Sequence, residues 1–598
     1  MKLRSEIDPK DTWDLTKLYP HSEAYLKDLA SISHMGDQLA AYKGKLAASA
    51  KNLYEALTLN DKMGTTVERA AAYARLGFDS DMGDPKSKDL YERLDYLFSG
   101  LGEKLAFFEP ELLEMEPETF EKYKTEEPGL KLYSWMMTRL FRQKGHVLSA
   151  REEELLTRMA TVAGSFDKIF DDLTVNDIVY PTVQDSEGNP LVANEANYRK
   201  AMESEDRQLR RRYYDALLGT YKQHVNTIAS TLAGNTRYHV LAAKSRNYAS
   251  SLEQALAPNN IPISVYENLI STLRSELGPL QDYLVFRRQT LGYDDLHFYD
   301  LFVPLVKGKN RSYTFLEAKD IVLDAVTPLG EEYQKTMARA FSERWIDIYP
   351  NKGKATGAYA TGVYGVHPYS LLNFTGTLDD LSTIIHELGH AMHSYYSDTN
   401  QPFVNAAYCI FTAEVASTVN ENLLFHYLLE RARTPEEKAY LLCSHLDGIR
   451  STLYRQGFFA DFERSMHQLI EADEPMVPQV LCRSYQKLYE LYHGPDFVVD
   501  ESLTYEWARI PHFYRPFYVY QYATGISAAI SLARGILKEG EPKVKAYLAF
   551  LKSGGSNDPI ELLKGAGVDL STTAPITAAV EDFRETLTEL KKVMKQVK

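Results

Sequence analysis

The chain has 598 residues, of which 44% are hydrophobic and 25% are charged, and its formal net charge is −15. At this length a single hydrophobic core has stopped growing, so we expect two or more domains in a soluble globular protein, with little disorder. The negative charge argues against general nucleic-acid binding, which needs basic surfaces.

The three cysteines, Cys409, Cys443 and Cys482, have neither metal-ligand spacing nor paired spacing. We therefore expect no disulfide framework and a reducing compartment. The first residues lack the apolar stretch of a signal peptide, and no run of about 18 apolar residues occurs. These features predict a protein that is neither secreted by a standard signal nor membrane-spanning and that has no membrane or nucleic-acid partner, and they leave its oligomeric state open.

Residues 1 to about 170 follow helical patterns punctuated by prolines, and nothing in this part has catalytic spacing. Apolar residues at 178–183 and 191–192 flank the turn-rich segment 185–190, which predicts a small hairpin. We place a domain boundary after this hairpin. The predicted domains are an N-terminal helical lobe, 1–195, and a catalytic domain, 196–598.

Helical patterns resume after the boundary, and two further segments, 299–306 and 358–374, are candidate strand regions. The part from Tyr369 to Phe374 is predicted to form a strand that leads towards the next helix. If the edge of that strand is open, a peptide could add to it as an extra strand.

The most informative stretch runs from Asp379 to His393, because apolar residues recur there at helical spacing behind polar residues suited to an N-cap. It contains His-Glu-x-x-His. On a helix, His386 and His390 lie one turn apart on the same side, where two neutral imidazoles can bind one Zn²⁺. Glu387 is placed to take a proton from water at the metal. These residue types predict a zinc hydrolase.

The third metal ligand distinguishes the classes of zinc enzyme. A metzincin needs Gly at position 393 and His at 396, where this chain has His393 and Tyr396, so that class is excluded. A second helical pattern begins near Phe411, with Thr412 as its candidate N-cap, and Glu414 within it is our predicted third ligand. His393 is the alternative. We favour a supporting role for it, because three ligands on one helix would be strung over roughly 10 Å.

The run from Leu371 to Thr377, the sequence His386-Glu387-Leu388-Gly389-His390-Ala391-Met392-His393 and the downstream Glu414 together resemble a known family. They are similar to the oligoendopeptidase F branch of the thimet-oligopeptidase-like metallopeptidases. The resemblance implies a mainly α-helical, two-lobed zincin with a small β-sheet beside the active-site helix and a deep cleft. It also implies a cytoplasmic zinc endopeptidase that acts on short peptides.

Residues 510–525 form a second informative stretch, rich in aromatic side chains. Hydrolysis of an amide creates an oxyanion, and a His or Tyr donor stabilises that charge more in the transition state than in the ground state. In the family a His followed by tyrosines has this role, and His512 is the matching residue. Tyr518 and Tyr522 are one turn apart, so we choose them over Tyr520 as the phenol donors. A purely structural aromatic cluster is the alternative.

The sequence thus predicts an endopeptidase with one Zn²⁺ ion held by His386, His390 and Glu414. Glu387 would act as general base, and His512 with a tyrosine would stabilise the oxyanion. The substrates would be short peptides. A zinc exopeptidase and a catalytically silent peptide-binding protein of the same fold are the alternatives.

Overall fold

The computed structural model describes residues 1–306 and 312–597. The helices that precede residue 306 are α1 (Ser22–Ala40), α2 (Ala50–Ser80), α3 (Pro85–Leu105), α4 (Phe108–Glu114), α5 (Pro117–Glu126), α6 (Ser134–Arg142), α7 (Ala150–Asp171), α8 (Tyr198–Met202), α9 (Arg207–Gln223), α10 (Val225–Ser245), α11 (Ser251–Leu256), α12 (Ile263–Ser275) and α13 (Gly278–Leu291). The helices that follow residue 312 are α14 (Phe315–Ala325), α15 (Glu331–Ser342), α16 (Leu378–Asn400), α17 (Phe403–Ala406), α18 (Ile410–Arg431), α19 (Pro435–Ile449), α20 (Arg455–Glu471), α21 (Pro478–His493), α22 (Tyr520–Glu539), α23 (Glu541–Lys552), α24 (Pro559–Gly565) and α25 (Ala574–Val593). The predicted mainly α fold is confirmed.

The strands of the described chain are short and form three small sheets. Their bounds are β1 (Thr182–Gln184), β2 (Pro190–Val192), β3 (Leu296–His297), β4 (Ile346–Asp347), β5 (Tyr359–Thr361), β6 (Tyr369–Leu371) and β7 (Phe497–Val498). β1 and β2 pair antiparallel as the predicted hairpin, and β3 pairs parallel with β7. The strand predicted over 299–306 is wrong, since Phe298–Asp300 is a turn of 3₁₀ helix.

The third sheet has the order β4-β6-β5, and both β5 and β6 contact α16. The predicted small sheet beside the active-site helix is therefore present. β6 pairs parallel with β4 on one side and antiparallel with β5 on the other. Both edges of the strand that begins at Tyr369 are thus occupied, so our condition of an open edge is not met there. β4 and β5 are the edge strands instead.

The chain divides into two compact units, neither of which is continuous in sequence. The first unit comprises Met1–Lys144, Asn310–Leu428 and Ala529–Val568, and the second comprises Gly145–Lys309, Leu429–Ala528 and Asp569–Lys598. In the first unit, one hydrophobic core joins residues of α1–α6 to Tyr369 and Leu371 of β6. The domain boundary after residue 195 stays a prediction.

Among the described helices, none combines the length and the apolar character needed to cross a bilayer.

Candidate metal centre and active site

The local sequence fixes the start and the buried face of α16. The Thr377 hydroxyl accepts from the backbone N–H of Asp380, and the Asp380 carboxylate accepts from the N–H of Thr377, so the polar residues before the helix form a capping box. The apolar residues at helical spacing are buried, Ile385 and Leu388 among them. This anchored helix carries the two imidazoles on one side.

Close approach of α18 to α16 brings the predicted third ligand, Glu414, to the imidazoles. A Cβ placed on Gly389 would lie 2.5 Å from the Cα of Ser417 and 2.9 Å from the carbonyl oxygen of Ala416. The absence of a side chain at Gly389 therefore lets the two helix backbones meet directly. Glu414 lies one turn before Ser417 on α18. The predicted cap at Thr412 is wrong, because α18 begins at Ile410 and the Thr412 hydroxyl donates to the carbonyl of Cys409.

The structure brings His386, His390 and Glu414 together as a group that could hold a metal. The Nε2 atoms of the two histidines are 3.2 Å apart, and Glu414 Oε2 lies 3.5 Å from Nε2 of His386 and 3.7 Å from Nε2 of His390. A tetrahedral zinc ion with bonds of about 2.0–2.1 Å would set its ligand atoms about 3.3 Å apart. The donor atoms and their spacing therefore fit one such ion.

Three further groups orient these ligands, and sequence reasoning identified none of them. Glu421 accepts from Nδ1 of His386 at 3.1 Å, which directs Nε2 of that ring towards the site. The imidazole of His390 is hydrogen-bonded to the backbone of Ala413, and the Ser417 hydroxyl lies 3.3 Å from Glu414 Oε2. Glu421 follows Glu414 by seven residues, two helical turns, so its spacing could have revealed it.

Glu387 is 7% exposed and lies beside three partners that influence its charge. Burial raises the pKa of its carboxyl to about 7, with Glu414 and Glu421 adding to the rise and His386 opposing it. Burial lowers the pKa of His390, and the charge of His386 lowers it further. A carboxyl with a pKa near neutrality can both accept and return a proton.

His393 does not join the metal group. It is 1% exposed, its ring stacks on Tyr408 with centroids 3.7 Å apart, and neither ring nitrogen has a hydrogen-bond partner among the described residues. Burial lowers its pKa to about 3, so the ring is neutral. The ring of His393 therefore packs against Tyr408. Among the described residues, it makes none of the hydrogen bonds by which it could orient a metal ligand.

The other three predicted site residues lie together in the second unit. The ring centroids of His512 and Tyr518 are 6.3 Å apart, those of His512 and Tyr522 are 6.4 Å apart, and those of the two tyrosines are 5.5 Å apart. Burial lowers the pKa of His512, and the nearby Arg515 lowers it further. His512 precedes α22, and Tyr522 lies in its first turn.

Comparison with known proteins gave matches along the whole chain. The model of peptidase family M3 matches residues 200–582, and that of oligopeptidase F matches residues 111–180. Oligopeptidase PepF of Bacillus subtilis is 41% identical over 100% of this chain and 89% of its own length. Group B oligopeptidase PepB of Streptococcus agalactiae is 36% identical over 99% of this chain and 98% of its own.

Solved structures agree with these matches. The crystal structure of oligoendopeptidase-F from Enterococcus faecium superposes with a TM-score of 0.75, at 34% identity, over 96% of this chain and 99% of that one. A crystal structure from Chlamydophila abortus reaches a TM-score of 0.93, at 37% identity, over 99% of this chain and 100% of that one. The resemblance predicted from residues 371–393 and Glu414 is confirmed.

Proposed function

Because the chain belongs to peptidase family M3 and is a metallopeptidase, we propose that it uses one zinc ion to hydrolyse internal bonds of short peptides. The observation that carries the proposal is the spacing of three donor atoms, from His386, His390 and Glu414, at 3.2–3.7 Å. Two imidazoles and one carboxylate leave a fourth position of a tetrahedral ion for water or substrate, as in catalytic zinc sites.

When bound, zinc would supply Lewis-acid polarisation of the scissile carbonyl and lower the pKa of water. A side chain of the protein accepts the proton from water and later donates it. Glu387 accepts it from water at a carboxylate oxygen and passes it to the leaving amine. Glu421 holds the His386 ring in the tautomer that leaves Nε2 free to bind the metal.

We assign His512, Tyr518 and Tyr522 to stabilisation of the oxyanion that forms when the amide carbon becomes tetrahedral. An imidazole N–H and a phenol O–H are both suitable donors for such a charge. The lowered pKa of His512 keeps its ring neutral near pH 7, so it can donate without carrying a charge in the ground state. The proximity of the three rings supports a shared role.

The proposed substrates are oligopeptides, by analogy with the names of the Bacillus subtilis and Streptococcus agalactiae relatives. We also propose that the protein works in the cytoplasm. All three cysteines, Cys409, Cys443 and Cys482, are free thiols, which suits a reducing compartment.

An internally quenched peptide blocked at both ends tests the proposal. We expect cleavage at an internal bond, loss of that activity with a metal chelator and recovery when zinc is added back. Release of terminal residues from an unblocked peptide, with the blocked peptide intact, would instead establish an exopeptidase. Peptide binding without any cleavage would establish a silent binding protein.

A further inference from the structure

The chain passes through a strained residue between the proposed oxyanion donors. Phe517 has a φ of 50°, which lies in the left-handed region that a bulky aromatic residue rarely adopts. Of the other four described non-glycine residues with positive φ, three are Asn or Asp, the types that tolerate this conformation. Such strain persists only where the surrounding structure fixes it, and it is concentrated at functional sites. Contacts around Phe517 must therefore hold its backbone in place.

The backbone of Phe517 is held by a carboxyl group from α20. The N–H of Phe517 donates to Oε1 of Glu463 at 2.6 Å. Glu463 is fully buried, and a hydrogen bond is stronger in a low-dielectric interior than at the surface. The bond therefore stabilises the strained conformation of a residue that lies 54 positions further along the chain.

The ring of Phe517 is fixed relative to the same helix. It packs on the ring of His467 with centroids 4.3 Å apart, and edge-on against Tyr266 with centroids 5.6 Å apart. His467 lies one turn after Glu463 on α20, and its Nδ1–H donates to the Glu463 carbonyl at 3.0 Å. The Tyr266 hydroxyl donates at 2.6 Å to the carbonyl of Ala460, which is also on α20. Both the backbone and the side chain of Phe517 are thus anchored to this helix.

A carboxyl group at position 463 is costly for the core around it. Among the described residues, Oε2 of Glu463 has no hydrogen-bond partner, and no basic side chain forms an ion pair with this carboxyl group. Burying a polar group with an unmet hydrogen bond destabilises a fold, whereas an apolar side chain of similar size avoids that cost. Packing of α20 by itself would therefore favour an apolar residue. The bond to Phe517 gives the carboxyl group a role that such a residue could not fill.

The connection that contains Phe517 sets the positions of the proposed donors relative to one another. His512 lies in the 3₁₀ turn before the connection, and α22, which carries Tyr522, follows it. On the side of the turn, the amide of Asn235 on α10 donates to the carbonyl of Tyr514 at 2.9 Å. Because a chain bends about its φ and ψ dihedrals, a different φ at Phe517 would rotate α22 relative to the anchored turn. The ring of Tyr522 would then move relative to that of His512.

We propose that Glu463 is a positioning residue for the peptidase site. By accepting the N–H of Phe517, it keeps the connection in the conformation that places His512 beside Tyr518 and Tyr522. The inference rests on the proposed function, in which these three side chains stabilise the oxyanion. Glu463 is not itself a catalytic residue, because its fully buried side chain is out of reach of a substrate.

Two variants at position 463 separate the hydrogen bond from the volume of the side chain. Glu463→Leu has a similar size but no acceptor, whereas Glu463→Gln keeps an acceptor oxygen. On the blocked, internally quenched peptide, zinc-loaded full-length Glu463→Leu should have a kcat about 10–100-fold below that of the wild type, with little change in KM. A small displacement of a donor weakens stabilisation of the transition state more than binding of the substrate. Glu463→Gln should keep about the wild-type kcat.

A folding defect is distinguished from a loss of position by two further variants. Glu463→Met, whose unbranched side chain adapts to its surroundings, is a second variant that lacks the carboxyl acceptor. Met466→Leu, a volume-conserving change at another buried position of α20, is the control and should have the wild-type kcat. Urea denaturation of each variant reports its folding. Wild-type kcat in both Glu463→Leu and Glu463→Met, or an equal loss in Glu463→Gln, would overturn the proposal.

The position of His512 is also measured without catalysis. In protein labelled with ¹³C at the histidine Cε1 atoms, the His512 resonance is the one missing from the spectrum of His512→Gln. That resonance should shift in Glu463→Leu and stay in place in Glu463→Gln and Met466→Leu. If the wild type cleaves no blocked peptide, the proposed function fails, and a shift confined to Glu463→Leu would still support the positioning role. An unchanged resonance in Glu463→Leu would refute that role.

Discussion

Gly389 and Ser417 set the distance between the two helices that hold the candidate metal group. A Cβ on Gly389 would come within 2.5 Å of the Ser417 Cα, and backbone atoms cannot retreat as a flexible side chain can. The position of Glu414 relative to the two histidines therefore depends on a residue that contributes no ligand.

Gly389→Ala should force α16 and α18 apart and weaken zinc binding by about tenfold or more, since ligands displaced by tenths of an ångström lose their geometry. Competition with a chromogenic chelator measures the affinity. Gly102→Ala is the matched control, because Gly102 is also helical and a Cβ there meets no atom within 4 Å. The control should bind zinc normally. Unchanged affinity in Gly389→Ala would show that the helices can separate without moving Glu414.

Glu421→Gln should lower zinc affinity by about 10–100-fold, because the amide holds the His386 ring less firmly and makes it a weaker ligand. The same chelator competition reports the change. Glu430→Gln removes an exposed carboxylate from the same helix, α18, and should leave the affinity unchanged. Equal affinities in the two variants would contradict the orienting role of Glu421.

Glu387→Gln should retain one zinc per chain and lower kcat/KM by about 10²–10⁴-fold, since an amide cannot accept the proton. Zinc content by atomic emission and hydrolysis of the blocked peptide are measured on the same preparation. Full turnover by this variant would exclude Glu387 as the base. Loss of zinc together with activity would show instead that the residue is needed for metal binding.

Replacing one of the proposed oxyanion donors in the second unit should lower kcat by about 10²–10³-fold with little change in KM. The variants are His512→Gln, Tyr518→Phe and Tyr522→Phe, and steady-state kinetics on the blocked peptide distinguishes them. Tyr514→Phe is the contrast. The Tyr514 hydroxyl is buried and hydrogen-bonded to Thr231 at 2.7 Å, so its loss should reduce stability by about 1 kcal/mol without a selective effect on kcat. Wild-type kcat in all three variants would remove this group from the mechanism.

Glu463 should make the stability of the protein fall as the pH rises. Its side chain is fully buried, burial raises its pKa well above 4.5, and its Oε1 accepts the backbone N–H of Phe517 at 2.6 Å. Because the folded-state pKa is the higher one, the stabilisation is complete below about pH 4.5. It declines by up to about 1.4 kcal/mol per pH unit until the folded-state pKa is reached.

Glu463→Gln keeps the acceptor oxygen and removes the ionisation. Relative to the wild type, its free energy of unfolding should therefore increase between pH 5 and pH 8, as measured by urea denaturation. Glu474→Gln, at an exposed position after the same helix, should follow the wild type at both pH values. A constant difference between Glu463→Gln and the wild type would contradict a protonated, buried Glu463.

Local patterns predicted the parts of the site that depend on helical geometry alone. The buried apolar face and the placement of His386 and His390 on one side of α16 follow from the 3.6-residue period, and the polar residues before the first turn predicted the N-cap. Local patterns could not decide features that depend on pairing with distant segments of the chain. The segment 299–306 has strand-forming residues but no strand pairs with it, and whether β6 has an open edge was decided by β4 and β5, which pair with it on both sides.

The sequence by itself determined that this chain is mainly helical and carries two imidazoles and a carboxyl group on one helix, because those properties depend on residue type and short spacing. Tertiary structure alone decided how closely α18 approaches α16 at Gly389, and that Glu421 rather than His393 orients the ring of His386. These relationships join residues far apart in the chain. Their distances depend on how complete helices and strands pack, and no local period encodes that packing.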